Sequence, residues 1–258
     1  MTITEVQHDW AEAWQRSWDR QQEGYLPDRE DRLGALVDIV EAVGGAAPVV
    51  LDLACGTGSI SRRVLARLPG ARTVAVDVDP ALLAIAGASV GADDRVTVVR
   101  ADLAHPGWAA AVPVPDGGFD AVVTATALHW LTEPVLRRLY GDLRRLLRPG
   151  GVVANADDMP HGGLVRLGGA LEAVVERRRA ATMADGRPDW EAWWDEAAAD
   201  PVLADAVVER RRLFGGSSHA ASFNPPASWH VEALRAAGFA EAGVAWRQGD
   251  GAVVAAVR

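Results

Sequence analysis

The chain has 258 residues, 49% of them hydrophobic, and a formal net charge of -9; the length suits one large α/β domain of roughly 250 residues, and the acidity disfavours a general binder of nucleic-acid backbones. All 26 basic residues are arginine, which excludes Schiff-base lysine chemistry and the lysine of a phosphate-binding loop. Cys55 is the single cysteine, so an internal disulfide and a multi-cysteine metal site are excluded.

In chain order, the first predicted helix runs from Val6 to about Gln22, with Trp10, Trp14 and Trp18 at i, i+4 and i+8 forming an aromatic stripe. A second helix, Arg29 to Val43, shows Leu33, Leu36, Val37 and Val40 at helical spacing and stops at Gly44-Gly45. Strand Val49–Leu53 then leads into a helix from Ser59 to about Leu68. Strand Arg72–Val76 leads into helix Pro80–Ala88, where proline suits the start. Strands Val96–Arg100 and Ala121–Thr124 follow. A helix from about Glu133 to Leu147 ends at Arg148-Pro149-Gly150-Gly151, before strand Val152–Ala156.

Strands alternating with helices over this length predict parallel pairing through right-handed crossovers. After Ala156 the pattern breaks into a helical, irregular segment, 157–227, that holds Trp190, Trp193 and Trp194. A last helix from Trp229 to Ala237 is expected to start at Ser228. The runs Gly243–Arg247 and Ala252–Val257 flank Gln248-Gly249-Asp250-Gly251 and predict a hairpin. The expected fold class is α/β: a Rossmann-like, seven-stranded, mostly parallel sheet with an antiparallel C-terminal hairpin and a helical cap. We expect one domain over 1–258, divided into N-terminal helices (1–45), a ligand-binding core (46–156), the insertion (157–227) and the C-terminal helix and hairpin (228–258). With no signal-peptide-like start and no bilayer-spanning stretch, a cytoplasmic protein without membrane partners is expected; monomer and homodimer both stay open.

The segment Val49 to Ser61 carries the strongest functional signal. A buried strand meets Asp52, then a turn pinched by Gly56 and Gly58, then a helix; open α/β sheets bind ligands at that end of their strands. Asp77 and Asp102 close the next two strands. Three carboxylates at successive strand ends suit a ligand bearing a cation, a ribose diol and an adenine amine, and suit a pyrophosphate poorly. Gly56-Thr57-Gly58-Ser59-Ile60-Ser61 nearly completes a dinucleotide fingerprint, but Ser61 replaces its third glycine. Asn224-Pro225-Pro226-Ala227 is similar to a DNA-adenine methylase motif, yet it lies far downstream and ends in alanine; turn chemistry explains it better.

Leu51-Asp52-Leu53-Ala54-Cys55-Gly56-Thr57-Gly58, with Val76-Asp77, Ala101-Asp102-Leu103, Phe119-Asp120-Ala121-Val122 and Leu147-Arg148-Pro149-Gly150-Gly151 in order, resembles class I S-adenosylmethionine-dependent methyltransferases. Leu128-His129-Trp130 and the stretch from Ser228 to Phe239 are similar to the branch acting on small molecules, including the trans-aconitate type. The resemblance implies that Gly56 and Gly58 let the backbone approach the methionine end. It implies that Asp52 meets the methionine ammonium, Asp77 the ribose hydroxyls and Asp102 the adenine amine, with Val78 and Leu103 packed on the ring. Ala54 departs from a common glycine, which is tolerable if its φ stays negative. Thr126 and Tyr25 join the expected cofactor contacts, and Arg29 is expected to close over the cofactor beside Tyr25. The product is S-adenosylhomocysteine.

His129, just past the fourth strand, is the candidate base, since histidine titrates near neutrality; it could equally shape the pocket. His161, His219 and His230 could play the same part. Trp18, His161 and Trp194 are the candidate substrate contacts, although the tryptophans could simply pack the cap onto the sheet. No metal-binding spacing is present, so no metal is expected. Each aspartate could also serve as a turn former or cap, and the arginine triplets 177–179 and 210–212 as solvated helix faces. Methyl transfer to a small-molecule acceptor, more readily at oxygen, is the expected function. A protein that binds S-adenosylmethionine without methyl transfer and an NAD(P)-dependent oxidoreductase remain alternatives.

Overall fold

The computed structural model describes residues 3–184, 186–215 and 223–258. Helices α1 (Ile3–Tyr25) and α2 (Arg29–Gly44) precede β1 (Val49–Leu53), α3 (Ser59–Arg67), β2 (Arg72–Asp77), α4 (Pro80–Ala88) and β3 (Val96–Arg100). Then come β4 (Phe119–Ala125), α5 (Glu133–Leu146) and β5 (Leu147–Asp158). The insertion supplies α6 (Val165–Met183), α7 (Trp190–Ala199) and α8 (Ala204–Phe214), and the chain ends with α9 (Ala227–Ala236), β6 (Glu241–Gln248) and β7 (Gly251–Val257).

The seven strands lie in the order β3-β2-β1-β4-β5-β7-β6. Strands β3, β2, β1, β4 and β5 pair in parallel, and β7 runs antiparallel to both β5 and β6. The expected mostly parallel sheet closed by a C-terminal hairpin is therefore present, with β7 inserted between β5 and β6. Alternation along the strands sorts the core into two layers. Leu51, Val74, Val122 and Val153 pack under α5 and α9, whereas Val50, Ala75, Val123 and Ala154 pack under α2 and α3. Leu36 and Val40 of α2 are completely buried, each stabilising the fold by about 1.5–3 kcal/mol. Asp79 caps α4 by accepting from the amides of Ala81 and Leu82.

Three local expectations are corrected. Helix α1 runs on to Tyr25, whose hydroxyl accepts from the Trp190 amide at the start of α7. Arg148-Pro149-Gly150-Gly151 is a bulge inside β5, not a terminator before it: Leu147 pairs with Phe119 and Val152 with Ala121. Gly150 turns there at φ 74°, and Arg148 holds the bulge through Asp120 at 2.6 Å and the Val43 carbonyl at 3.0 Å. Helix α9 starts at Ala227, two residues before Trp229, flanked by Pro226 rather than capped by Ser228; the proline ring already fixes the entering φ. Among the described residues no helix is long and apolar enough to cross a membrane.

Candidate active site

Where β1 ends, Ala54 turns at φ 54°, Gly56 at 56° and Gly58 at 87°. A negative φ at Ala54 was the sequence expectation, and it is overturned: the Cys55 amide is drawn to the Val76 carbonyl at 2.9 Å, which bends the chain left-handed at the residue before it. An L-residue in that region costs about 1–2 kcal/mol. The two glycines differ. A Cβ on Gly58 would stand 2.5 Å from Cγ2 of Val90, so this glycine serves packing against protein. A Cβ on Gly56 would meet only Leu82, at 3.8 Å, so space does remain beside it. Cys55 is buried, and burial pushes its thiol up, with the charges of Asp77 and Asp52 acting the same way.

Asp52 is wholly buried. Its Oδ2 accepts from the backbone and hydroxyl of Ser61 at 2.9 and 2.7 Å, while Oδ1 is buried without a partner. Burial pushes its carboxyl up to about 6; the Ser61 hydrogen bonds oppose this and the Asp77 charge adds to it. Asp77 accepts from the Gly56 amide at 2.7 Å through Oδ2, and from Val78 and Asp79 at 2.7 and 2.9 Å through Oδ1. A carboxylate offers about four acceptor positions, so Asp77 keeps one on Oδ2 rather than a free pair of oxygens for two hydroxyls. Burial raises its carboxyl as well. Asp102, at the end of β3, is exposed and accepts from the Ala104 amide at 2.8 Å. Between them lie half-buried Val78 and buried Leu103. Each acid is thus a turn former as well as a carboxylate at or just past a strand end, and the three follow adjacent strands of the sheet.

Helix α1 covers this edge. Gln15 donates to the Ser59 hydroxyl at 3.0 Å, Ser59 donates to Asp19 at 2.7 Å, and Arg29 pairs with Asp19 at 2.7 Å. Helix α8 closes the β2 side: Arg210 reaches Asp79 at 2.6 Å while its guanidinium lies 3.7 Å from the Trp194 ring. One arginine of each triplet therefore turns inward, since Arg179 likewise pairs with Asp158 at 2.7 Å. The solvated-face expectation fails for these two because a carboxylate waits opposite each.

Trp18 and Trp194, the candidate substrate contacts, pack with Trp193 against Leu82 and Ile85 of α4 in a separate aromatic core. His161 gives Nε2 to the Gly249 carbonyl at 2.8 Å and so ties the insertion to the hairpin turn. The Tyr25 hydroxyl accepts from the Trp190 amide at 2.8 Å, and Tyr25 lines a cavity of about 470 Å³ with Asp158, Arg179 and Met183. His219 lies outside the described residues.

Beside β1, β4 ends at Ala125, and Thr126 takes φ 52° with its amide on the Ala156 carbonyl at 2.8 Å. Ala54 and Thr126 are the two non-glycine residues of positive φ among those described, and they flank the same edge; strain of this kind clusters at functional sites. His129 follows in a short turn, Leu128–Trp130. Its Nδ1 meets Asp157 of β5 at 2.9 and 3.0 Å. Burial lowers its pKa, but the hydrogen bond to Asp157 and the charges of Asp157 and Asp158 outweigh this and leave it raised. His230 points elsewhere: Nδ1 meets the Tyr140 hydroxyl at 2.6 Å, and burial lowers the ring to about 4.

Sequence reasoning missed Asp157, Gln15 and the Asp79–Arg210 pair. Only Asp157 left a signal: with Asn155 it puts polar residues at alternate positions on the strand face that also carries Val153.

Residues 50–151 match a protein family described as "Methyltransferase domain". The chain is 39% identical over 103 residues to a demethylmenaquinone methyltransferase of Thermus thermophilus, covering 40% of this chain and 43% of that protein. It is 34% identical over 151 residues to a trans-aconitate 2-methyltransferase of Azoarcus sp., covering 56% and 54%. The chain thus spans about half the length of the curated relatives it matches. An O-methyltransferase family protein from Burkholderia thailandensis shares the fold with TM-score 0.53 and 20% identity, over 86% of this chain and 55% of that one. Residues 50–151 thus match a methyltransferase domain, and the glycine turn, strand-end acids and sheet order agree with the resemblance to class I S-adenosylmethionine-dependent methyltransferases.

Proposed function

We propose that the chain transfers a methyl group from S-adenosylmethionine to oxygen of a small-molecule acceptor. The observation that carries this reading is a pair of buried polar atoms without partners, Oδ1 of Asp52 and the hydroxyl of Thr57. Both belong to the strand and turn that the family uses for the methionine end, and a buried polar atom without a partner costs about 1–3 kcal/mol until something meets it. Asp52 holds the ammonium; the acceptor position left on Asp77 takes a ribose hydroxyl; Asp102, Val78 and Leu103 serve the adenine.

When bound, S-adenosylmethionine supplies a methyl group on a sulfonium that is already a good leaving group. The chain's own task is then alignment and exclusion of water. Helix α1, with Tyr25 and Arg29 at its exit, and helices α6–α8 act as the cap, while Thr126 and His129 face the acceptor. Calorimetry with S-adenosylmethionine, S-adenosylhomocysteine and NAD tests the reading, followed by labelled methyl transfer to hydroxyl, amine and carboxylate acceptors. Tight binding of NAD in preference to both adenosyl ligands would overturn it.

A further inference from the structure

We propose that Asp157 is a positioning residue that makes His129 a base, and that the acceptor is therefore a neutral hydroxyl compound rather than a carboxylate. This rests on the methyl-transfer reading above. The bidentate contact of Asp157 with Nδ1, at 2.9 and 3.0 Å, fixes the ring proton on that nitrogen. The neutral ring then presents the lone pair of Nε2, at its opposite end, to whatever enters. A hydroxyl brings a proton to that lone pair. A carboxylate brings only further lone pairs, and once the ring is protonated it would be masked as a nucleophile by the Nε2 proton.

The charges around the pair are organised for this duty. Asp157 is buried, and His129 is its only ionic partner among the described residues. Neighbouring Asp158 is already matched by Arg32 at 2.8 Å and Arg179 at 2.7 Å, so Asp157 is the carboxylate left to respond to the ring. From α5 and α9, Tyr140 and His230 face the same part of β5. Burial holds the tyrosine well above its usual range and the histidine down at about 4, so both are neutral at neutral pH and neither competes for the charge. A histidine whose imidazolium is stabilised by a buried carboxylate is of use where a proton must leave. A carboxylate acceptor has none to lose.

In the step, the acceptor oxygen bonds to the methyl carbon and the carbon–sulfur bond breaks with its electron pair left on sulfur. The hydroxyl proton passes to Nε2 of His129, the imidazolium is held against Asp157, and the proton then leaves to solvent. No oxidant or further reactant is needed.

The test is a ring-proton NMR titration of His129 in the full chain with S-adenosylhomocysteine bound, the signal being assigned by its loss in His129→Gln. Wild type should titrate above 6.5, and Asp157→Asn should lower that value by about one pH unit or more. Affinity for S-adenosylhomocysteine should stay within about threefold, because Asp157 is not among the residues proposed above to hold it. In parallel, labelled methyl transfer is measured to catechol, benzyl alcohol, benzoate and benzylamine. Transfer to the hydroxyl probes, with an acid limb in kcat that follows the His129 titration and moves with Asp157→Asn, supports the proposal. An unmoved titration, or transfer confined to benzoate or benzylamine, overturns it. Should Asp157→Asn not fold, His129→Gln decides: kcat on the hydroxyl probes should fall about 100-fold or more, and full retention overturns the proposal. Failure of the underlying reading looks different, since S-adenosylhomocysteine would then bind to neither wild type nor variant.

Discussion

Replacing Asp52 by asparagine should stabilise the empty protein and weaken its grip on the cofactor. Burial lifts the carboxyl from 3.8 to about 6, and a displacement of that size corresponds to about 3 kcal/mol against the ionised folded state. Asparagine keeps the shape and can still accept from the Ser61 amide and hydroxyl. Those bonds already oppose burial in setting the value near 6, so their charge assistance is counted within it. The net expectation at pH 7.5 is a gain of about 3 kcal/mol, or roughly 6–12 °C in Tm for a chain of this size.

The pH dependence fixes the sign. Because the folded pKa lies above the unfolded one, the folded chain binds more protons between about pH 4 and 6, and wild-type stability falls as pH rises through that window. The asparagine of the Asp52→Asn variant does not titrate, so its advantage should be near zero at pH 4 and fully developed above about pH 6.5. Urea unfolding at both pH values reads the difference directly. Calorimetry with S-adenosylhomocysteine should show affinity falling about 10–100-fold, as expected when an ammonium loses a charged partner. A variant no more stable than wild type at pH 7.5 would refute the reasoning, because the buried charge would then carry no measurable cost.

Arg210→Ala strips the partner from Asp79, itself almost fully buried, and should destabilise the chain by about 2–4 kcal/mol, visible as a lower Tm. Ala54→Gly relieves a left-handed alanine against the entropy a glycine adds to the unfolded chain, and a gain of about 0.5–1 kcal/mol in urea unfolding is expected. Asp77→Ala should lower S-adenosylhomocysteine affinity by about 1–3 kcal/mol by calorimetry; unchanged affinity in a folded variant removes its ribose assignment.

The part of this fold written in local patterns was legible. Val49–Leu53, Arg72–Val76 and Val96–Arg100 are short apolar runs bounded by breakers, and each appears within a residue of its reading. What was not legible depends on residues far apart in the chain. Asp79 meets Arg210 across 131 positions and Gln15 meets Ser59 across 44, and no periodicity announces either. Asp157 was hidden differently. The strand pattern stops at Ala156 because an acid reads as exposed, whereas β5 continues to Asp158 with His129 opposite to satisfy the carboxylate. Ala54 was misread because steric preference alone gives an alanine negative φ, and only the pull of Val76 on the following amide reverses it.

The readings that failed at Ala54 and Asp157 fall on one edge of the sheet, and that is itself an argument. Ala54 and Thr126 in left-handed conformation, the buried and half-satisfied Asp52, and the carboxyl-bound His129 all lie along the ends of β1, β4 and β5. The sheet layers beneath them obey alternation at the positions that set the two cores. A chain gains no stability from concentrating strained backbone and an ionisable orphan along a single edge; both are unfavourable in the empty state, by amounts comparable to a large share of net stability. They persist because the rigid parallel strands hold them there, and under the function proposed above the ligand's cation would meet the partnerless oxygen of Asp52. A ligand of that kind should therefore raise the stability of wild type more than that of the Asp52→Asn variant, a difference that thermal unfolding with and without S-adenosylhomocysteine measures directly.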